Sequence, residues 1–318
     1  MSDAQSIIDA LGGWSNIKDL DACITRIRLD VVDADVIDER ALRDLKMLDD
    51  ATFGRPERTR TIAIANQKGG VGKTTSTVNM AAGFALGGLN VVVIDADAQG
   101  NASSALGVEH DTGTLSTYDV IIGGASIEEV LKPCPDIEGI SVCPATIDLS
   151  GAEIELVDVE GREFLLRNAL REFLDSRDDI DVILIDCPPS LGLVTLNVMV
   201  AADEVLIPIQ AEYYALEGLS QLWATVERIG ADLNPGLRVS TMLLTMADRR
   251  TRLSEEVEAE VRAHFPEQTL QTVIPRNVRV SEAPSYGQTV VTYDARSVGA
   301  VAYRMAALEV SLRFPQSE

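Results

Sequence analysis

The sequence predicts an α/β fold, a doubly wound and mostly parallel sheet, and three observations carry that prediction. Short runs at residues 61–65, 91–95, 182–186, 204–208 and 239–244 are apolar almost without interruption. Continuous rather than alternating apolarity marks strands buried on both faces, as in a parallel sheet covered by helices. Helix-forming stretches at 74–86, 164–174, 216–229 and 254–264 alternate with those runs, the order that a doubly wound sheet requires. A glycine-rich segment joins the first run to the first helix, and acids close the second and third runs. In such a sheet ligands bind beyond the carboxyl ends of the strands.

Composition sets the bounds. Of 318 residues, 46% are hydrophobic but only 4% aromatic, so the core is aliphatic. The net charge of −23 excludes a chain that coats nucleic acid through its overall field. Any DNA contact must come from a local cluster of arginines acting within a Debye length of roughly 8 Å at physiological salt. Cys23, Cys134, Cys143 and Cys187 form no C-x-x-C pair, which points to reduced thiols rather than a disulfide framework or a zinc site. No uninterrupted apolar stretch reaches the roughly 18 residues of a membrane span. The start Met1-Ser2-Asp3-Ala4 lacks a basic signal-peptide region. A soluble, cytoplasmic protein is expected.

Taken in chain order, the first element is a short α+β appendage, residues 1–50. It holds a helical pattern at Ile7, Ile8 and Leu11, a Gly12-Gly13 break, and the alternating run Cys23-Ile24-Thr25-Arg26-Ile27-Arg28-Leu29. That alternation predicts a half-buried strand, and a second helix pattern covers 36–48. Residues 51–60, with Gly54, Pro56 and mixed charges, read as a linker. Residues 61–318 then form the α/β domain.

Its first strand runs into Gln67-Lys68-Gly69-Gly70-Val71-Gly72-Lys73-Thr74-Thr75, followed by a helix. Gly69, Gly70 and Gly72 allow a tight turn with the N–H groups of residues 69–75 facing inward, and the helix adds the positive end of its dipole. Lys73 would reach the β- and γ-phosphates of a nucleotide, and the Thr74 hydroxyl would ligate Mg²⁺. The usual G-x-x-x-x-G-K-[ST] pattern is altered, with Gln67 in place of its first glycine and a lysine, Lys68, next to it. The second strand ends at Asp95-Ala96-Asp97-Ala98-Gln99-Gly100-Asn101, and the third at Asp186-Cys187-Pro188-Pro189-Ser190. An acid at a strand's carboxyl end suits a Mg²⁺ shell and a placed water, which phosphoryl transfer needs more than covalent chemistry. Either acid of the Asp95–Asp97 pair could instead cap the following helix.

The Lys68–Thr75 run resembles the deviant Walker A loop of the ParA/MinD class of P-loop NTPases. The resemblance to the ParA/Soj partition ATPases extends over nearly all of residues 60–312, with Ala98 where proline is usual. Beyond the loop it rests on Ile209-Gln-Ala-Glu-Tyr-Tyr-Ala-Leu-Glu-Gly-Leu219 and Ile274-Pro-Arg-Asn-Val-Arg-Val-Ser-Glu-Ala-Pro-Ser-Tyr-Gly287. It implies an ATPase with ATP and Mg²⁺ as cofactors. Lys68 would reach across an ATP-bound homodimer to the partner's phosphates, and Asp97 would orient or deprotonate the attacking water. Asp95 and Asp186 would join Thr74 around the metal, and Pro275 and Asn277 would lie near the adenine. Matched family positions place nonspecific DNA contacts at Arg250 and Arg279, within a cluster that includes Arg249, Arg252 and Arg276; phosphate contacts need cations and no base-reading groups. Glu255, Glu256, Glu258 and Glu260 follow at once, and an ordinary ion-paired face is the alternative. The implied cycle has a ParB-like partner stimulating hydrolysis on the nucleoid, for chromosome or plasmid partitioning. A membrane-cycling MinD-like protein would need a basic amphipathic tail, and residues 298–314 carry only Arg304 and Arg313 as cations.

A second resemblance lies at the amino terminus. Residues 11–28, from Leu11-Gly12-Gly13-Trp14 to Cys23-Ile24-Thr25-Arg26-Ile27-Arg28, are similar to the first half of a sugar phosphotransferase IIB domain. In that family the cysteine matching Cys23 accepts a phosphoryl group beside arginines such as Arg26 and Arg28. Half a small domain has little core of its own, and the segment reads as an inert relic of fusion, a docking appendage, or a phosphocysteine module.

Overall fold

The computed structural model describes residues 17–23, 26–31, 48, 51–212, 215–248 and 250–314. The chain divides into two compact units, Met1–Ala51 and Thr52–Glu318.

In the first unit, β1 (Ile17–Cys23) and β2 (Arg26–Val31) form an antiparallel pair. Cys23 pairs with Arg26, so the chain reverses between them. The alternating run 23–29, expected as one strand, is thus divided: its cysteine closes β1 and its arginines open β2. Alternation survives a reversal in sequence, which is why the pattern alone did not reveal the turn. The helices expected at 7–11 and 36–48 lie outside the described residues, Leu48 apart.

In the second unit, seven strands stand in the order β5-β6-β4-β7-β3-β8-β9. They are β3 (Arg60–Ile64), β4 (Val91–Asp95), β5 (Lys132–Pro133), β6 (Ile140–Cys143), β7 (Val182–Asp186), β8 (Glu204–Gln210) and β9 (Arg238–Thr245). All pair in parallel except the edge strand β5, which is antiparallel to β6. The four central strands are buried along their lengths apart from Gln210, so uninterrupted apolarity was a sound guide. The helices are α1 (Lys73–Leu86), α2 (Asn101–Ala105), α3 (Ile127–Val130), α4 (Leu149–Glu155), α5 (Leu165–Asp175), α6 (Leu193–Ala201), α7 (Ala215–Asp232), α8 (Arg252–His264), α9 (Val278–Glu282), α10 (Val290–Tyr293) and α11 (Val298–Ser311). They cover both faces of the sheet. One core packs α4 to α8 on one side, with Leu149, Leu170, Val198, Leu222 and Val261; the other packs α1 and α11, with Phe84, Tyr303 and Ala307.

Several short elements were not legible, β6 and α6 among them. Strand β6 is four residues following Gly139, too short for a periodic signal. Helix α6 buries Val194, Thr195, Asn197, Val198, Met199 and Val200; an all-round buried helix has no amphipathic stripe to find.

Residues 52–59, expected as part of a linker, lack regular structure but are pinned to this unit. Phe53 is buried, and a side chain on Gly87 would collide with its ring. The Gly54 N–H donates to Ser311 Oγ at 3.1 Å, Arg55 donates to the Gly88 carbonyl at 2.7 Å, and the Thr59 hydroxyl donates to the Ile180 carbonyl at 2.7 Å. Arg60 already belongs to β3.

Candidate functional site

The carboxyl ends of β3, β4 and β7 meet at one point, as the crossover from each strand to its helix dictates. Between β3 and α1, Gly70 and Gly72 take positive φ values of 75° and 90°, a left-handed backbone that side chains disfavour. Gly72 also caps α1. The loop is braced from β9: the Thr245 hydroxyl donates to the Val71 carbonyl at 2.8 Å, and a Cβ on Gly72 would stand 3.7 Å from the end of Met246. The loop therefore rests on a fixed strand end, with Gly69 and Gly70 open above it.

Lys73 begins α1 and is buried, its ammonium 3.4 Å from the Lys68 carbonyl. Burial lowers its pKa, and the nearby carboxylates of Asp186 and Asp97 oppose that shift. Thr74 donates its hydroxyl to Asp186 Oδ2 at 2.7 Å, and Thr77, a turn later, donates to Asp186 Oδ1 at 3.1 Å. Thr75 lends its carbonyl to the Asn79 amide at 2.7 Å. Asp95 pairs with Asp186 across β4 and β7. Burial, then the negative charge of Asp95, pushes the Asp186 carboxyl up to about 8. Burial also raises Asp95. Two buried carboxyl groups beside two threonine hydroxyls and one lysine make an acid-rich pocket that favours a hard divalent cation, whose charge would offset their mutual repulsion.

The two acids of the Asp95–Asp97 pair differ. Asp95 is fully buried and both oxygens are engaged: Oδ2 accepts from the Ser103 N–H at 2.8 Å and hydroxyl at 2.7 Å, and Oδ1 accepts from the Asp97 N–H at 3.2 Å. Since Ser103 lies in the first turn of α2, Asp95 does help to cap that helix. Asp97 is half-buried, and its Oδ1 accepts from the Gln99 N–H at 3.0 Å. Its turn closes with the Gly100 N–H on the Asp97 carbonyl at 2.9 Å. Gly100 has a φ of 62°, and a Cβ there would stand 2.8 Å from the His110 ring. The substitution of Ala98 for the usual proline leaves the turn closed.

Lys68 is set apart from this buried group. Its side chain is 40% exposed and its ammonium lies 3.5 Å from Glu212 Oε2, beyond β8. Pro275 bridges to Ala247 past the end of β9, the Arg276 N–H donates to the Ala247 carbonyl at 3.0 Å, and Asn277 caps α9 through the Arg279 N–H at 2.8 Å. Pro275 and Asn277 thus follow the same strand extension that braces the phosphate loop. Arg250 and Arg279 lie outside the pocket. Arg250 is 87% exposed and held by both Asp248 oxygens at 2.9 Å. Arg279 pairs with Glu282 at 2.8 Å and Asp294 at 3.5 Å. Their acids are not the glutamates of α8 that the sequence suggested. Arg249 lies outside the described residues, and of Cys23 only the backbone is described.

Sequence reasoning missed Thr77, Ser103 and Glu212. Thr77 follows Lys73 by one helical turn, so a second hydroxyl facing the acid was available from the period of α1. Nothing local marked Ser103 or Glu212.

The chain is similar to proteins of known family. A family model described as an AAA domain matches residues 59–239, and one described as phosphotransferase system, EIIB matches residues 5–38. The chromosome partitioning protein ParA of Myxococcus xanthus is 47% identical over 82% of this chain and 93% of its own length. The sporulation initiation inhibitor protein Soj of Bacillus subtilis is 49% identical over 79% of this chain and 98% of its own. Among solved structures, cobyrinic acid a,c-diamide synthase from Mycobacterium smegmatis with bound ADP and magnesium superposes with a TM-score of 0.67 at 36% identity, covering 78% of this chain and 92% of that one. The cell division ATPase MinD of Pyrococcus furiosus gives 0.65 at 27% identity, covering 80% and 98%.

Proposed function

Because the chain belongs to the ParA/Soj family of chromosome-partitioning ATPases, we propose that it is an ATP-dependent dimerising switch. In this reading the ATP dimer binds DNA nonspecifically, and a ParB-like partner stimulates hydrolysis to release it, for chromosome or plasmid partitioning in the cytoplasm, on the nucleoid. The observation that carries the proposal is the division of labour between two lysines. Lys73 is buried against the acids at the foot of the loop, while Lys68, five residues earlier, is half-buried, with its ammonium 3.5 Å from the carboxylate of half-buried Glu212. Such a pair contributes at most about 1 kcal/mol, so Lys68 is easily recruited to a phosphate presented by a second subunit.

The residues play distinct parts. The amides of residues 69–75 and the Lys73 ammonium would bind the phosphates, and Pro275 and Asn277 would border the base. Mg²⁺ would be held at Thr74 and Asp186, with Asp95 supplying negative charge behind them, and when bound it neutralises the charge of the phosphates. Asp97, half-buried and fixed by its own turn, would orient or deprotonate the attacking water. Burial and the neighbouring Asp95 disfavour the charged form of Asp186, so a bound cation would be what favours its carboxylate. Arg250 and Arg279 would exchange Asp248, Glu282 and Asp294 for DNA phosphates, with counterion release favouring the exchange at low salt.

Lys68→Ala tests this reading. The variant should keep ATP binding yet lose partner-stimulated turnover and the ATP-dependent dimer, measured by nucleotide affinity, phosphate release and sedimentation. Full stimulated turnover in Lys68→Ala would contradict the role across the dimer.

A further inference from the structure

The turn that carries Asp97 runs directly into α2, which is only five residues long. A helix that short has too few internal hydrogen bonds to fix its own position, so outside contacts set it. On its buried side the Ser103 hydroxyl donates to Asp95 and accepts from the Ala145 N–H at 3.1 Å. Just past its far end, a Cβ on Gly107 would stand 2.9 Å from the Gly287 carbonyl. The chain then turns back, with the Gly107 N–H on the Ser104 carbonyl and the Val108 N–H on the Ser103 carbonyl, both at 3.0 Å. That reversal brings His110 alongside the helix.

His110 touches the first turn of α2 at two points. Its Nε2 lies 2.8 Å from Ser104 Oγ, a hydrogen bond in which the hydroxyl can serve as donor or acceptor. Its Nδ1 faces Gly100, where a Cβ would stand 2.8 Å from that nitrogen and 3.0 Å from the Ala145 carbonyl. Gly100 and Ser104 are joined by the Ser104 N–H on the Gly100 carbonyl at 2.9 Å, and Gly100 donates its own N–H to the Asp97 carbonyl. The imidazole is therefore one backbone hydrogen bond away from Asp97. His110 itself is half-buried between exposed Glu109 and Asp111, and Lys132 of β5 donates to the Glu109 carbonyl at 3.0 Å. The loop that carries the ring is thus fixed to the sheet.

We propose that His110 is a positioning residue for ATP hydrolysis, acting through Gly100 and Ser104 on the turn that aims Asp97. A group that orients water must be held within roughly 0.5 Å of its working place, and supporting hydrogen bonds provide that precision. Removing the ring opens space beside Gly100, a residue without a side chain that gives the turn little stiffness of its own. Asp97 then samples more orientations. Lys73 and Thr74 sit on α1 instead, with Thr74 bonded to Asp186, so the defect belongs to turnover and not to nucleotide affinity. The inference rests on the reading of Asp97 as the residue that handles the attacking water.

The test measures single-turnover phosphate release by the full chain with ATP and Mg²⁺, together with nucleotide affinity and the unfolding midpoint. His110→Ala should release phosphate about 10–100-fold more slowly at unchanged affinity, since a displacement of about 1 Å can cost about 10²-fold. Ser104→Ala separates positioning from stability. Ser104 is exposed on α2, and alanine is the better helix former, so a purely structural role predicts no loss of midpoint or rate. The proposal predicts slower release in Ser104→Ala with the midpoint kept or raised. His110→Gln, whose amide reaches Ser104, should restore much of the rate; His110→Asn, which is too short, should not. Wild-type release in both His110→Ala and Ser104→Ala would overturn the proposal, and so would equal rates in His110→Gln and His110→Asn. Asp97→Ala keeps the two readings apart. If it is slow while His110→Ala is not, the positioning role falls alone. If it releases phosphate at the wild-type rate, the reading of Asp97 fails and nothing remains for His110 to aim.

Discussion

Asp95 and Asp97 are two residues apart, yet the structure gives them opposite surroundings. Asp95 has both oxygens committed to Ser103 and the Asp97 N–H, whereas Asp97 keeps one oxygen outside its turn. Only a group with free valence can hold a water, so hydrolysis should depend on Asp97 far more directly. Asp97→Ala is expected to bind ATP and to form the dimer while losing about 10²–10⁴-fold in turnover, the usual range for a general base. Phosphate release against nucleotide affinity checks this; unchanged turnover would move the water elsewhere. At this scale the sequence was most legible where a side chain's chemistry and spacing are both restrictive. Lys73, Thr74 and Asp186 sit together as the loop pattern implied, whereas Glu212, the partner of Lys68, comes from a strand end 144 residues away in sequence and left no local mark.

Secondary elements carry the stability, and two contacts far from the pocket show how. Phe53 precedes the first central strand but fills a gap beside Gly87 at the end of α1. Phe53→Ala should cost about 3 kcal/mol, the lower end for a buried aromatic that is truncated, measured by denaturant unfolding. Removing residues 1–51 should not incur that cost, which would be reversed if this segment were a free tether. Glu309, on α11, accepts from the Gln271 N–H at 2.8 Å and the Thr272 N–H at 2.9 Å and pairs with Arg313. Burial alone would raise its pKa, but these bonds to the charged form outweigh it and the net shift is downward. The folded state therefore binds this proton less tightly than the unfolded chain, so the stabilisation is present above about pH 4.3 and fades as pH falls through the folded pKa. Glu309→Gln should lose about 1–2 kcal/mol at pH 7, with the gap to wild type closing on acidification. A constant gap down to pH 3 would remove the ionic part of the explanation. Elements were legible in proportion to their periodicity: the central strands were plain, while α6, apolar all round, and four-residue β6 carried none. The alternating run 23–29 showed the opposite limit, since its period persisted through a chain reversal.

For the whole molecule, the main tension is between a net charge of −23 and a proposed affinity for DNA. No helix among the described residues is long and apolar enough to cross a membrane, and the surface cations proposed for DNA are each ion-paired within the subunit. A monomer of this kind should be repelled by DNA. Dimerisation doubles the number of cationic contacts on one ligand and so multiplies the gain from counterion release, which makes DNA affinity a sensitive reporter of the nucleotide state. Arg279→Glu should abolish that affinity without changing nucleotide binding; undiminished DNA binding in this variant at physiological salt would remove Arg279 from the interface. The most direct test of the switch is co-sedimentation of the purified protein with DNA at physiological salt in ATP, in ADP and without nucleotide. Binding in ATP alone is the predicted result. Binding that ignores the nucleotide, or that is absent in all three conditions, would contradict the switch.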